Sequence, residues 1–124
     1  MTAIRSLVTV VDDDESVRES LPDLLKELGF AARAFSSAED FLASDAIDRT
    51  DCLILDVAMP GMSGPELQRE LTNRQLKIPI IFITAHRDET ISAQLIERGA
   101  TACLLKPFSE AELLGALNAA LGVG

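Results

Sequence analysis

The stretch Cys52–Leu67, CLILDVAMPGMSGPEL, carries three different signals in turn. Its first four residues are apolar without a break, which fits a strand buried on both faces rather than one with a wet side. Asp56 closes the run. After a short loop the chain reaches Ser63-Gly64-Pro65-Glu66, where Ser63 and Glu66 have capping-box spacing and Pro65 stands where a helix opens. Strand, acid, loop, helix is the unit to seek elsewhere.

Apolar runs recur as LVTVV (7–11), FAARAF (30–35), CLILDV (52–57), IPIIFIT (78–84) and ACLLK (102–106). Segments with helical spacing separate them, beginning with Val17, Leu21, Leu24, Leu25 and Leu28 before Gly29. The alternation predicts βαβαβαβαβα, an α/β fold with a doubly wound, five-stranded parallel sheet covered on both faces. Ser36 with Glu39 and Ser109 with Glu112 are further capping-box candidates. Pro22 conflicts with its helix, because it removes a hydrogen bond at a cost of about 3 kcal/mol, and a bend or loosened turn is expected there. Gly122 reads as the stop of the last helix.

Composition narrows the class. At 124 residues, with 48% hydrophobic and 25% charged residues, the chain reads as one globular domain, 1–124, without repeat or linker. A net charge of −9 argues against direct contact with nucleic acid, whose phosphates need Lys and Arg. No apolar run approaches a bilayer span and the N-terminus lacks a secretory pattern, so a cytoplasmic location without membrane contact is expected. Cys52 and Cys103, inside apolar runs, read as reduced buried thiols, and His86 is the single histidine.

Ligands of doubly wound sheets bind beyond the carboxyl ends of the strands. There the first run delivers Asp12 and Asp13, the third Asp56, the fourth Thr84, and the fifth Lys106 followed by Pro107. The second run ends near Phe35 and Ser36 with nothing ionisable, which places it at the sheet's edge. Each residue alone has a plain explanation: a solvated turn, a loop acid, a backbone-satisfying hydroxyl, a surface lysine. Together they put three carboxylates, a hydroxyl and an ammonium on one edge. Clustered carboxylates raise one another's pKa, and Lys106 offers a single compensating charge. A hard divalent cation closes the deficit, and Mg²⁺ suits a shallow site that keeps several waters. With an Asp as nucleophile toward phosphorus, the set is that of phosphoryl transfer onto carboxylate.

The segments VVDDDESVRESL, LILDVAMPGMSGPEL, IPIIFITAH and GATACLLKPF resemble the receiver domain of two-component response regulators, a CheY-like family, and within it the FixJ type. The resemblance covers essentially the whole chain. It implies the flavodoxin-like strand order 2-1-3-4-5, Asp56 as phosphoacceptor, and Mg²⁺ (or Mn²⁺) held by Asp13 and Asp56, by Asp12 through water, and by the Ala58 carbonyl. It further implies that Thr84 and Lys106 bind the phosphoryl group and that the Lys106-Pro107 peptide is cis. The implied partners are a sensor histidine kinase, an output DNA-binding domain outside this chain, and a second copy docked through the fourth helix, fifth strand and fifth helix. The domain would assist its own phosphorylation and dephosphorylation and turn over no external metabolite.

The chain departs from the family at Cys103, where an aromatic side chain usually reports the switch. Cys103 reads as buried strand filler, against a redox-sensitive switch or another coupling route. His86 reads as an exposed loop histidine, against a phosphoryl contact, and a small Ala58 would leave an acyl phosphate open to water. Leu114 and Leu121 exceed what one buried stripe needs, from a dimer surface or from ordinary core packing. The competing functions fit less well. A haloacid-dehalogenase-like phosphatase resembles D-x-D, whereas this chain has Asp56-Val57-Ala58 and lacks the proton donor. An FMN binder wants phosphate-cradling donors after the first strand, where this chain has four acids. A pseudo-receiver would not need the complete acidic set. Of those four acids, Asp14 and Glu15 read as the cap and first turn of the first helix.

Overall fold

The computed structural model describes residues 5–122. In chain order the elements are β1 (Leu7–Val11), α1 (Glu15–Glu27), β2 (Ala31–Phe35), α2 (Ala38–Ala43), a 3-10 turn (Asp45–Asp48), β3 (Cys52–Asp56), α3 (Gly64–Asn73), β4 (Ile80–Thr84), α4 (Glu89–Glu97), β5 (Ala102–Leu105) and α5 (Glu110–Leu121). The strands form one parallel sheet in the order 2-1-3-4-5, with β2 at an edge as its composition suggested. β3 lies at the centre and all five of its residues are buried, which is why that run could dispense with polar alternation.

Strand alternation sorts the apolar side chains into two cores. Leu53, Leu55 and Phe82 face Phe41, Leu67, Leu71 and Leu95 from α2, α3 and α4. Val8, Val10, Ile54, Ile81 and Ile83 face Leu21, Leu25, Leu113 and Leu117 from α1 and α5. The ladder aligns Val10 with Ile54, Asp56 with Ile83, and Ile83 with Leu104. Asp12, Asp56 and Lys106 share the parity of these residues and lie at the same end of the sheet, so its pleat brings them to one side.

Three of the four helix starts read from the sequence stand where expected. Asp14 caps α1 by accepting from the Ser16 N–H at 2.9 Å, and Ser63 and Ser109 close capping boxes with Glu66 and Glu112. The exception is α2, whose cap is Ser37 rather than Ser36. Its hydroxyl accepts from the Asp40 N–H at 3.1 Å, and the two adjacent serines explain the shift, because both meet the same short pattern. Glu39 is thereby released to another partner. α1 runs without a break from Glu15 to Glu27 through Pro22, and Gly122 ends α5 in the left-handed region at φ 71°.

Two further expectations shift. Cys103 is half-buried rather than enclosed, with the Ser92 hydroxyl donating to its Sγ at 3.3 Å. Leu114 and Leu121 on α5 are both partly covered, and among the described residues the large exposed apolar side chains are Ile91 and Ile96 on α4. No helix among the described residues is long and apolar enough to cross a membrane.

Candidate functional site

The site begins with β1, which runs directly into Asp12. This carboxylate is fully buried, an expensive position unless every oxygen is matched. Its Oδ2 accepts from the Lys106 ammonium at 2.8 Å and its Oδ1 from the Asp14 N–H at 2.9 Å. Its backbone carbonyl accepts from the Arg18 guanidinium at 3.1 Å. Asp13, the next residue, is exposed and faces solvent at the rim.

Asp56 ends β3 and is 7% exposed. Lys106 stands 3.8 Å from its Oδ1, too far for a close pair, and the Ala58 N–H makes only a long contact at 3.4 Å. Burial, then the neighbouring Asp12 charge, push the Asp56 carboxyl up to about 7, with Lys106 opposing them. The ammonium is thus committed first to Asp12, and Asp56 is the carboxylate left undercompensated. Asp12, Asp13 and Asp56 each offer an oxygen within 4.8 Å of the others, so the three can converge on one metal ion. All three are hard oxygen donors, and the surplus negative charge suits a divalent cation.

Gly64 sets the approach of α3 to this centre. A Cβ there would sit 2.3 Å from the Asp56 carbonyl oxygen and 3.0 Å from the Phe82 ring. Only glycine lets the helix start against the strand end. Ahead of it the β3–α3 loop is tied to α2, because Glu39 accepts from the Met62 N–H at 3.2 Å.

The other predicted residues lie apart from this cluster. The Thr84 hydroxyl donates to the His86 carbonyl at 3.2 Å and accepts from the His86 N–H at 3.1 Å, closing a local turn. Thr84 has the opposite strand parity to Asp56 and lines a hollow of about 260 Å³ shared with Cys103, Ser92 and Arg87. His86 is exposed, and the Lys106-Pro107 peptide is cis. Sequence reasoning missed Arg18 and Glu39. Arg18 sits six residues after Asp12, a spacing that signals nothing until the helix folds back, and Glu39 has capping-box spacing with Ser36 but bonds Met62 instead.

The chain from residue 8 to 118 matches the family model described as response regulator receiver domain. It is 44% identical to transcriptional regulatory protein TdiR of Thauera aromatica over 98% of its length and 54% of that protein's. It is 42% identical to transcriptional regulatory protein FixJ of Azorhizobium caulinodans over 93% of its length and 54% of that protein's. The chain therefore spans about half the length of these relatives. Among solved structures, the crystal structure of FixJ-N superposes with a TM-score of 0.87 at 38% identity, covering 97% of this chain and 96% of that one.

Proposed function

The chain belongs to the response regulator receiver domain family, and from that premise we propose that residues 1–124 act as one phosphorylation switch with Asp56 as its phosphoacceptor. The observation that carries this reading is the buried carboxylate at the end of the central strand, set between a second buried carboxylate and one shared lysine. A carboxylate so placed is desolvated and short of compensating charge, which favours its reaction with an electrophilic phosphorus.

In the proposed reaction an Asp56 oxygen forms a bond to phosphorus as the bond between phosphorus and a histidine kinase's imidazole nitrogen breaks. The product is an aspartyl phosphate, and the leaving imidazole takes up a proton. Because burial holds the Asp56 carboxyl up, any proton on it must leave before attack. Asp12, Asp13, Asp56 and the Ala58 carbonyl are the proposed holders of Mg²⁺, or of Mn²⁺ in its place, which when bound supplies positive charge against the clustered carboxylates and phosphoryl oxygens. Lys106, anchored on Asp12, is positioned to pair with a phosphoryl oxygen. Thr84 would exchange its bonds with the His86 backbone for a bond to the phosphoryl group, drawing the β4–α4 loop inward. Cys103, beside Thr84's hollow, is half-buried and hydrogen-bonded to Ser92, so it is the side chain placed to register that movement at α4.

The sensor histidine kinase, a DNA-binding output module and the domain's role in its own dephosphorylation extend the same proposal, as does a cytoplasmic location. The transcriptional regulators it resembles are longer than this chain. The exposed Ile91 and Ile96 make the α4–β5–α5 face the proposed homodimer surface. Incubation with acetyl phosphate and Mg²⁺, read by intact mass, should add one phosphoryl group that Asp56→Asn abolishes. No addition, or addition that survives the substitution, would remove Asp56 from this role.

A further inference from the structure

The loop between Asp56 and α3 carries Ala58, whose carbonyl is one of the proposed metal holders, and its composition gives it little rigidity of its own. Residues 58–62 read Ala-Met-Pro-Gly-Met. Pro60 has no N–H to donate, and Gly61 stands at φ 74°, in the left-handed region that glycine enters without strain. Met59 joins the core cluster that includes Phe41, whereas Ala58, Pro60 and Gly61 are exposed. Among the described residues, one N–H of this stretch bonds a different element. It is that of Met62, which donates at 3.2 Å to Glu39 Oε2 in the first turn of α2, 23 residues away in the chain. The Ala58 N–H reaches only the neighbouring Asp56 Oδ1, at 3.4 Å.

Gly61 fits the same contact. A Cβ on it would stand 2.6 Å from Glu39 Oε2, so the carboxylate lies against the loop at two successive residues. Nothing in α2 itself calls for that placement. Ser37 caps the helix by accepting from the Asp40 N–H, and Glu39 forms no ion pair with a described residue. Its hydrogen bond therefore serves the loop and not the helix that carries it.

We propose that Glu39 is a positioning residue for the metal end of the phosphoacceptor site. By holding Met62 it fixes the backbone that carries Ala58, so that the Ala58 carbonyl is already in place beside Asp56 when a cation binds. A loop ordered in advance relieves the cation of the entropy cost of ordering it, and the difference appears as affinity. The inference rests on the reading of Asp12, Asp13, Asp56 and Ala58 as metal holders, and it does not require that Asp56 accept a phosphoryl group.

The test is a Mg²⁺ titration of ¹⁵N-labelled protein followed at the amides of Asp13, Asp56 and Ala58, with hydrogen exchange measured at Met62. Glu39→Ala should raise the apparent Kd for Mg²⁺ roughly three- to tenfold and speed exchange at Met62, with the urea midpoint unchanged. Glu39→Gln keeps an oxygen that accepts from Met62 and should restore both readouts, because the bond and not the charge is what the loop needs. Asp40→Asn removes a neighbouring charge that does not touch the loop, and it should leave the Kd at the wild-type value. Gly61→Ala displaces the carboxylate from the loop side; it should raise the Kd by itself, and by less in the Glu39→Ala background. An unchanged Kd in Glu39→Ala overturns the proposal, as does Glu39→Gln binding as weakly as Glu39→Ala, an equal loss in Asp40→Asn, or full additivity with Gly61→Ala. If the wild type takes up no Mg²⁺ through the millimolar range, the metal reading falls and this proposal with it. If Mg²⁺ binds but acetyl phosphate leaves Asp56 unlabelled, the phosphoacceptor reading fails and the role of Glu39 stands.

Discussion

Asp56 and Asp12 are two carboxylates at one strand edge with a single ammonium between them, and the unequal distances from Lys106 decide how each behaves. Asp12, paired at 2.8 Å, is the structural member. Asp56, at 3.8 Å, carries the unrelieved charge. Its carboxyl moves from 3.8 up to about 7, so the folded protein binds the proton more tightly than the unfolded chain. The stability this contributes is present below about pH 4 and is lost as pH rises toward 7. In chelator, Asp56→Asn should therefore stabilise the protein at pH 7 by about 2 kcal/mol relative to wild type, and by much less near pH 4. Urea unfolding of both proteins across that range is the measurement, and a pH-independent difference would contradict the charge argument. Lys106→Met leaves Asp12 buried and unpaired. It should destabilise by about 3 kcal/mol in the same assay, since removing one member of a buried pair strands the other.

At the scale of elements, the local signals differ in how much structure they fix. Capping boxes at α3 and α5 were legible because both partners lie within one turn. The α2 start was legible only to within a residue, since Ser36 and Ser37 both fit and Glu39 was drawn away to Met62 by the fold. After α3 the chain places Gln75 at φ 61°, in the left-handed region where a Cβ is strained, with the Leu76 N–H closing the helix end on the Leu71 carbonyl. Gln75→Gly should relieve that strain and stabilise by about 0.5–1 kcal/mol, read as a raised unfolding midpoint. At the other end of α3, Gly64→Ala inserts a methyl against the Asp56 carbonyl and the Phe82 ring. It should destabilise by about 3 kcal/mol and slow acetyl phosphate labelling of Asp56, because the helix and the strand end must separate.

For the whole molecule, one sheet covered by helices on both faces leaves, among the described residues, one conspicuous uncovered apolar pair, Ile91 and Ile96. Changing both to Lys should alter the unfolding free energy of the monomer by no more than about 0.5 kcal/mol, as expected for exposed positions. If the α4–β5–α5 face pairs two copies, sedimentation after acetyl phosphate treatment should show association in the wild type and none in the double variant. Self-association that persists in the variant would place the dimer elsewhere.

The sequence by itself determined the parallel sheet, the two-sided burial of β3, and the acidic and cationic residues at the strand ends. Those features follow from period-2 and period-3.6 spacing and from strand termini, which are local in the chain. Only the tertiary structure decided which carboxylate Lys106 holds, that Arg18 reaches the Asp12 carbonyl, that Thr84 is turned toward His86, and that Gln68 meets α4 with an acceptor to spare. Each of these depends on distances between elements far apart in sequence. Hydrophobic spacing specifies which face of an element is buried, and packing then specifies which polar atoms that burial brings within hydrogen-bond reach.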